Sequence, residues 1–86
     1  MNVGLYSVYD YQMKVYLAPF VARNDVEAKR QLAAAMADPQ LSKSAMCMAP
    51  SDFWLVKVAV FDDETAIVET CKDEICVLSE LRTVPS

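Results

Sequence analysis

The sequence predicts an α+β domain: an antiparallel β-sheet with one amphipathic helix packed across it, in the order β-β-α-β-β-β. Three observations carry this. The stretch at residues 19–38 carries the only strong helix signal in the chain. The runs before it are rich in β-branched and aromatic types, and the run at residues 53–61 is apolar on both of its faces. The chain of 86 residues fits one domain spanning 1–86. A domain of that size buries only about 60–65% of its unfolded surface. With 55% hydrophobic residues, some of that surface is expected in a homodimer interface.

Residues 5–9 and 13–17 read as two strands joined by a turn over Asp10, Tyr11 and Gln12, without an Asn-Gly or Asp-Gly signal. Pairing Tyr9 with Met13 sets Ser7 opposite Val15 and Leu5 opposite Leu17. The other face then carries Tyr6, Val8, Lys14 and Tyr16. A slip of one residue exchanges the two faces. The helix follows. Asn24 is its N-cap, Glu27 stands three residues on as in a capping box, and Asp25 adds negative charge at the positive end of the dipole. Pro39 ends it near Asp38. Val26, Ala28, Leu32, Ala33, Ala35 and Met36 fall on its apolar side. Glu27, Arg30, Gln31 and Asp38 fall on the other, with Lys29 at the border.

Residues 39–52 show no period. Ser42, Ser44, Pro50 and Ser51 predict a loop, with Met46, Cys47 and Met48 free to cover part of the core, and its length makes it a candidate for mobility or binding. Residues 53–61 form the strongest strand, with Trp54, Val56, Val58 and Val60 on one face and Phe53, Leu55, Lys57, Ala59 and Phe61 on the other. Such a strand is central in a sheet covered on both sides, or lies at an interface. Asp62, Asp63 and Glu64 make a turn, 65–69 a returning strand, 71–74 another turn, and 75–81 a last strand or a short helix. Residues 83–86 are a polar end.

Composition narrows the chemistry. The chain has no histidine, so Ser–His–Asp and Cys–His arrangements are impossible, and no enzyme site is expected. Cys47, Cys71 and Cys76 lack zinc-site spacing and read as reduced thiols filling core space. Gly4 is the single glycine, against a glycine-rich phosphate loop. The acidic residues at 62–64, Asp73, Glu74 and Asp52 read as turn formers, so neither metal nor cofactor is expected. There is no transmembrane run and no leader, which points to a cytoplasmic protein without membrane contact. A net charge of −4 is unfavourable for a general nucleic-acid binder, yet compatible with a local basic face.

One constellation points to binding. Tyr6, Lys14 and Tyr16 share the outer hairpin face, with Tyr11 and Arg23 nearby. Rings beside cations suit single-stranded nucleic acid, because bases stack on the rings while Lys and Arg meet the phosphates. The same tyrosines also read as ordinary strand residues, or as a face covered by a second subunit. Lys29 and Arg30 read as a solvated edge. A second reading makes the apolar face of Phe53, Leu55 and Phe61 a protein-docking surface.

The order of several short pieces resembles a known family. They are Tyr6-Ser7-Val8-Tyr9-Asp10, Tyr16 with Pro19-Phe20, and Asn24-Asp25 with Ala28. Asp38-Pro39, Pro50-Ser51-Asp52-Phe53 with Leu55, and Phe61-Asp62-Asp63-Glu64-Thr65 follow. Together they resemble the small nonstructural protein of gokushoviruses, single-stranded-DNA phages of the Microviridae. This is the phage ORF5 family, regarded as the counterpart of the microvirus C protein. The pattern covers roughly the first seventy residues and omits 71–86. The resemblance implies a non-enzymatic protein of the bacterial host's cytoplasm, acting in viral DNA replication and in the switch to single-stranded genome synthesis and packaging. Single-stranded DNA is the implied partner. The alternative is docking on the viral replication protein or a host factor. The acidic charge and the apolar Met46-Cys47-Met48 loop depart from the family pattern.

Overall fold

In the computed structural model, which describes residues 1–41 and 43–81, the first strand is the one the others assemble on. This strand, β1 (Asn2–Asp10), pairs along one edge with β4 (Phe53–Asp62) over its whole length. Its other edge is shared by two short strands, β2 (Val15–Tyr16) beside its end and β3 (Phe20–Ala22) beside its first half. β5 (Val68–Val77) pairs with β4 and completes a five-stranded antiparallel sheet. One main helix, α1 (Asp25–Met36), joins β3 to β4 and covers one face.

The helix starts and stops as its capping residues dictate. Asn24 Oδ1 accepts the Glu27 N–H at 2.9 Å, and the helix ends before Asp38 and Pro39. The Glu27 carboxylate turns to Arg23 and Gln31. The buried stripe is narrower than the apolar side predicted for it. Ala28 and Leu32 are buried and Met36 packs beside them, while Val26 is 65% exposed. These three core positions are four residues apart, so they stack on one line down the helix.

Under α1 lies the core: Tyr6 and Val8 of β1, Ala22 of β3, Phe53 and Leu55 of β4, Cys76 of β5, and Leu78. Tyr6 is fully buried. Its ring stacks on Phe20 with centroids 5.9 Å apart, and its hydroxyl donates to Asp25 Oδ1 at 2.6 Å. A hydrogen bond to a carboxylate contributes about 1.5–3 kcal/mol. Burial first, then that carboxylate, pushes the Tyr6 hydroxyl well above its ordinary pKa. The three cysteines are free thiols, with Cys47 and Cys76 buried. Burial raises the pKa of Cys76, with Lys29 acting the other way.

Several expectations are corrected. The first hairpin turns through four residues, 11–14, so Tyr9 faces Tyr16 and Asp10 faces Val15. Relative to a Tyr9–Met13 pairing the register moves by an odd number, which sends Tyr16 to the face opposite Tyr6. β3 was hidden in the lead-in to the helix. β1 is nine residues long and β2 only two, so the remaining edge of β1 is paired by β3. After the helix there are two strands instead of three. The polar residues at 71–74, expected as a turn, lie within β5, an edge strand where solvent-facing charge is tolerated. The irregularity there takes the form of register shifts against β4. Of residues 75–81, expected as a last strand or a short helix, 75–77 end β5 and 78–80 form a 3-10 turn.

The connection from α1 to β4 holds a one-turn helix, α2 (Ala45–Met48), between two 3-10 turns, with Ser44 accepting the Cys47 N–H. The acidic turn expected at 62–64 lies one residue later, at 63–65, with Asp62 at the end of β4 and its Oδ1 accepting the Glu64 N–H at 2.9 Å. That backbone donor is the main reason the Asp62 carboxyl has a lowered pKa. Ser42 of the loop and the polar end at 83–86 lie outside the described residues. Among the described residues, no helix is long and apolar enough to cross a membrane.

Gly4 is required by the Tyr6 ring. A Cβ built on Gly4 would stand 2.5 Å from Tyr6 Cε1 and 2.9 Å from its Cζ. Gly4→Ala is expected to destabilise the fold by about 1–3 kcal/mol through overpacking, read as a lower urea midpoint. An unchanged midpoint would show that the ring shifts without cost.

Candidate functional site

The sheet face turned away from α1 has two zones. Residues directly opposite in an antiparallel pair share a face, so the register lists what stands together. At one end Val3, Phe61 and Val68 lie across the sheet, followed by Val21, Leu5 and Ala59. This is an aliphatic strip, placed on this face because Val58 is an extra residue in β4 that breaks its alternation. At the other end Tyr16, Tyr9 and Trp54 lie across the sheet, with Tyr11 projecting from the turn.

The aromatic end is held by Asp10. Its buried carboxylate accepts the N–H groups of Gln12 at 2.9 Å and Met13 at 3.1 Å, and its carbonyl accepts from Lys14 at 2.7 Å. The turn closes with Lys14 at φ 58°, a left-handed conformation that a non-glycine residue adopts at some cost. Tyr11 is tied to the opposite loop by its N–H, which donates to the Asp52 carbonyl at 3.0 Å. Ser7, also buried, donates its hydroxyl to the Leu17 carbonyl at 2.6 Å and fixes the chain after β2.

The rings form a continuous cluster. Tyr9 and Tyr16 have centroids 4.6 Å apart, Tyr9 and Tyr11 4.9 Å in an edge contact, and Tyr11 and Trp54 6.4 Å. They border a half-open groove of about 390 Å³ with buried Val56 in its lining and Lys14 and Lys72 beside the rings. The Lys72 ammonium stands 6.0 Å over the Tyr16 ring, within cation–π range. Glu74 supplies the groove's carboxylate, and Tyr11 Oη donates to its Oε2 at 3.3 Å. The Tyr11 hydroxyl has a raised pKa, from desolvation first and then from the Glu74 charge and hydrogen bond. The arrangement offers exposed ring faces, two cations and one carboxylate acceptor in a single hollow.

Of the four residues predicted to meet nucleic acid, the structure brings Lys14 and Tyr16 together in this groove. Tyr6 is in the core under the helix, and Arg23 is exposed on that other side, paired with Glu27 at 3.0 Å. Of the three residues predicted as a docking face, Phe53 is 4% exposed and Leu55 0%, both inside the core. Phe61 is half-buried in the aliphatic strip. The expected face broke up because Val58 interrupts the alternation between Leu55 and Phe61. Sequence reasoning missed Tyr9, Trp54 and Lys72 as groove residues. Trp54 was legible as a strand residue with its own face, but what stood beside it depended on pairing with residues far away in the chain.

A second hollow, of about 300 Å³, is lined by Asn2, Val60, Asp62, Ile67 and Glu69. Nearby the N-terminal ammonium pairs with Asp63 at 3.0 Å, which raises its pKa. Among the described residues no group of three or more Cys, Asp or Glu is arranged to hold a metal ion.

Comparison with known proteins gives one result: the family model described as Phage ORF5 protein matches residues 3–81. The match takes in residues 71–81, beyond the stretch where short motifs carried the resemblance. No match is found among curated proteins or among solved structures.

Asp10→Ala removes the acceptor of two turn N–H groups, leaving them short of a partner beside the groove. It is expected to cost about 1.5–3 kcal/mol in urea unfolding, with Asp10→Asn costing less because one oxygen acceptor remains. A loss below about 0.5 kcal/mol would mean that the strands alone set the turn.

Proposed function

The chain belongs to the Phage ORF5 protein family, and on that premise we propose that it is a non-enzymatic phage protein that binds single-stranded DNA through the aromatic groove of its open sheet face. The observation that carries this reading is the ring cluster of Tyr9, Tyr11, Tyr16 and Trp54 with Lys14 and Lys72 at its border. Bases stack on exposed ring faces whatever their sequence, and ammonium groups beside the rings meet the phosphates. The net charge of −4 does not oppose this locally, since the groove itself carries two lysines and one glutamate. Weak, salt-sensitive binding is the expected regime, because few phosphates are neutralised.

The role that such binding would serve is in replication of the viral genome, at the switch to single-stranded synthesis and packaging, in the cytoplasm of the bacterial host. Covering an emerging single strand needs many copies and little sequence preference in the stacking itself. A shallow groove on a small domain suits that demand.

We further propose that the protein acts as a homodimer, with the aliphatic strip of Val3, Leu5, Val21, Phe61 and Val68 covered by a second copy. Val21 and Val68 are each more than half exposed, and α1 packs on the other face. Edge pairing through β5 is disfavoured by its register shifts and by Glu69, Lys72, Asp73 and Glu74 along it. Face-to-face packing remains the better geometry for the strip.

Trp54 is the single tryptophan, so titration with a short oligonucleotide is read directly from its fluorescence. Quenching that weakens with salt is expected. Tyr16→Ala with Lys14→Glu should weaken binding about tenfold or more, since each stacked base contributes about 1–3 kcal/mol. Binding indifferent to salt and to this double substitution would sink the groove as the DNA site. If no oligonucleotide binds even at low salt, the aliphatic strip with Phe61 becomes the candidate surface for the viral replication protein or a host factor. For the dimer, light scattering at micromolar concentration should give twice the chain mass, and Val21→Lys with Val68→Lys should halve it. A wild-type monomer would overturn the dimer.

A further inference from the structure

Glu74 is out of place in a groove that meets only phosphates. A carboxylate repels phosphate oxygens, yet this one stands among the rings with Val56 opposite it in the strand pairing. It is not neutralised by the nearby cations: among the described residues neither Lys14 nor Lys72 forms an ion pair with it. Among the described residues its protein donor is the Tyr11 hydroxyl, on Oε2. A carboxylate has about four acceptor positions on its two oxygens. Oε1 therefore remains whole, and Oε2 in part, for a donor entering the groove.

Resting on the reading of the groove as a single-strand site, we propose that Glu74 reads the stacked base and selects guanine. In an unpaired strand the Watson–Crick edge of guanine is open and presents two adjacent donors, N1–H and N2–H, which match the two oxygens of a carboxylate. Cytosine and adenine each offer a single amino group beside a ring acceptor. Thymine offers one N3–H between two carbonyl oxygens that the carboxylate repels. Tyr11 serves two ends here. Its hydroxyl orients Glu74, and its ring, 46% of the residue being exposed, is available as a stacking surface next to that carboxylate. The same side chain thus fixes the distance between the stacking plane and the acceptor.

The stacking term is indifferent to base identity, so the preference falls at one position of a bound strand and leaves the rest unread. It also assigns Glu74 a cost on phosphate binding that a substitution releases.

The test uses oligothymidylate, the same oligomer with one central dG, and the same with inosine or dC at that position. Each is titrated against the full chain and followed by Trp54 fluorescence at fixed salt. The dG oligomer is expected to bind about tenfold tighter than oligothymidylate, within the range for a bidentate base contact. Inosine, which lacks the N2 amino group, should fall between them. Glu74→Gln presents one acceptor and one donor and should abolish the dG advantage, read as the ratio of dG to dT affinity within the same variant. Circular dichroism of the variant checks that the sheet is intact, and Glu74→Ala is a second variant for the same readout.

Equal binding of the dG and dT oligomers by the wild type overturns the base preference and leaves the stacking groove standing. A dG advantage that survives both Glu74 substitutions assigns the selection to another group and overturns the role of Glu74. Failure of every oligomer to bind at low salt removes the groove reading and this inference together.

Discussion

Four elements of this domain meet on one side chain. The Tyr6 ring lies over Gly4 of its own strand, stacks on Phe20 of β3, and donates its hydroxyl to Asp25 in the first turn of α1. Lys57 of β4 sets its ammonium 6.0 Å from the same ring. A fully buried phenol needs a partner for its hydroxyl, and the carboxylate it bonds is at the start of the helix. The helix is thereby fixed in position and direction over the sheet. Its remaining grip is modest, since Ala28 and Leu32 are its buried residues. Without the Tyr6 contact, a helix with so narrow an apolar stripe would be weakly held.

Putting Tyr6 inside has a consequence for the other face. One helix covers one face, and a strand alternates, so the neighbours of Tyr6 along β1 are turned outward: Val3, Leu5, Ser7 and Tyr9. The outer face is therefore rich in apolar and aromatic residues, and the helix α1 packs on the side opposite to it. Its two zones differ in kind. The aliphatic strip, with Thr70 beside Ala59, is mostly apolar and suits a second hydrophobic surface. The ring cluster is bordered by lysines and a glutamate, which suits a ligand that has both flat apolar faces and charge. A single-stranded nucleic acid is such a ligand, and the family to which the chain belongs is a phage family.

The individual elements were more legible than their pairings. The Asn24 cap, the end of the helix before Pro39, the strength of the 53–61 strand and the acidic turn after it all depend on neighbours within a few residues, and the structure has them. The register of the first hairpin was not legible. With no Asn-Gly turn signal, three residues or four could close it, and the choice was made by the Asp10 carboxylate collecting the N–H groups of Gln12 and Met13. That single difference moved Tyr16 from beside Tyr6 to beside Tyr9. The polar stretch at 71–74 read as a turn because its side chains are hydrophilic, whereas at the sheet edge hydrophilic side chains and strand geometry coexist.

By itself, then, the sequence determined the class of fold, the place of its one long helix and the absence of histidine chemistry, because these rest on composition, period and local capping. It also singled out Lys14 and Tyr16 as a neighbouring cation and ring, since that pair is visible in any register, and both line the groove. Which face they join, and that Tyr9, Trp54, Lys72 and Glu74 stand with them, was decided only in the tertiary structure. Residues far apart in the chain, such as Tyr9 and Trp54, become neighbours across β1, β4 and β5 through backbone pairing. One extra residue, Val58, and one four-residue turn set the parity of that pairing. Parity is the physical reason for the division: alternation tells which residues share a face within a strand, but an odd shift between strands exchanges every partner across the sheet.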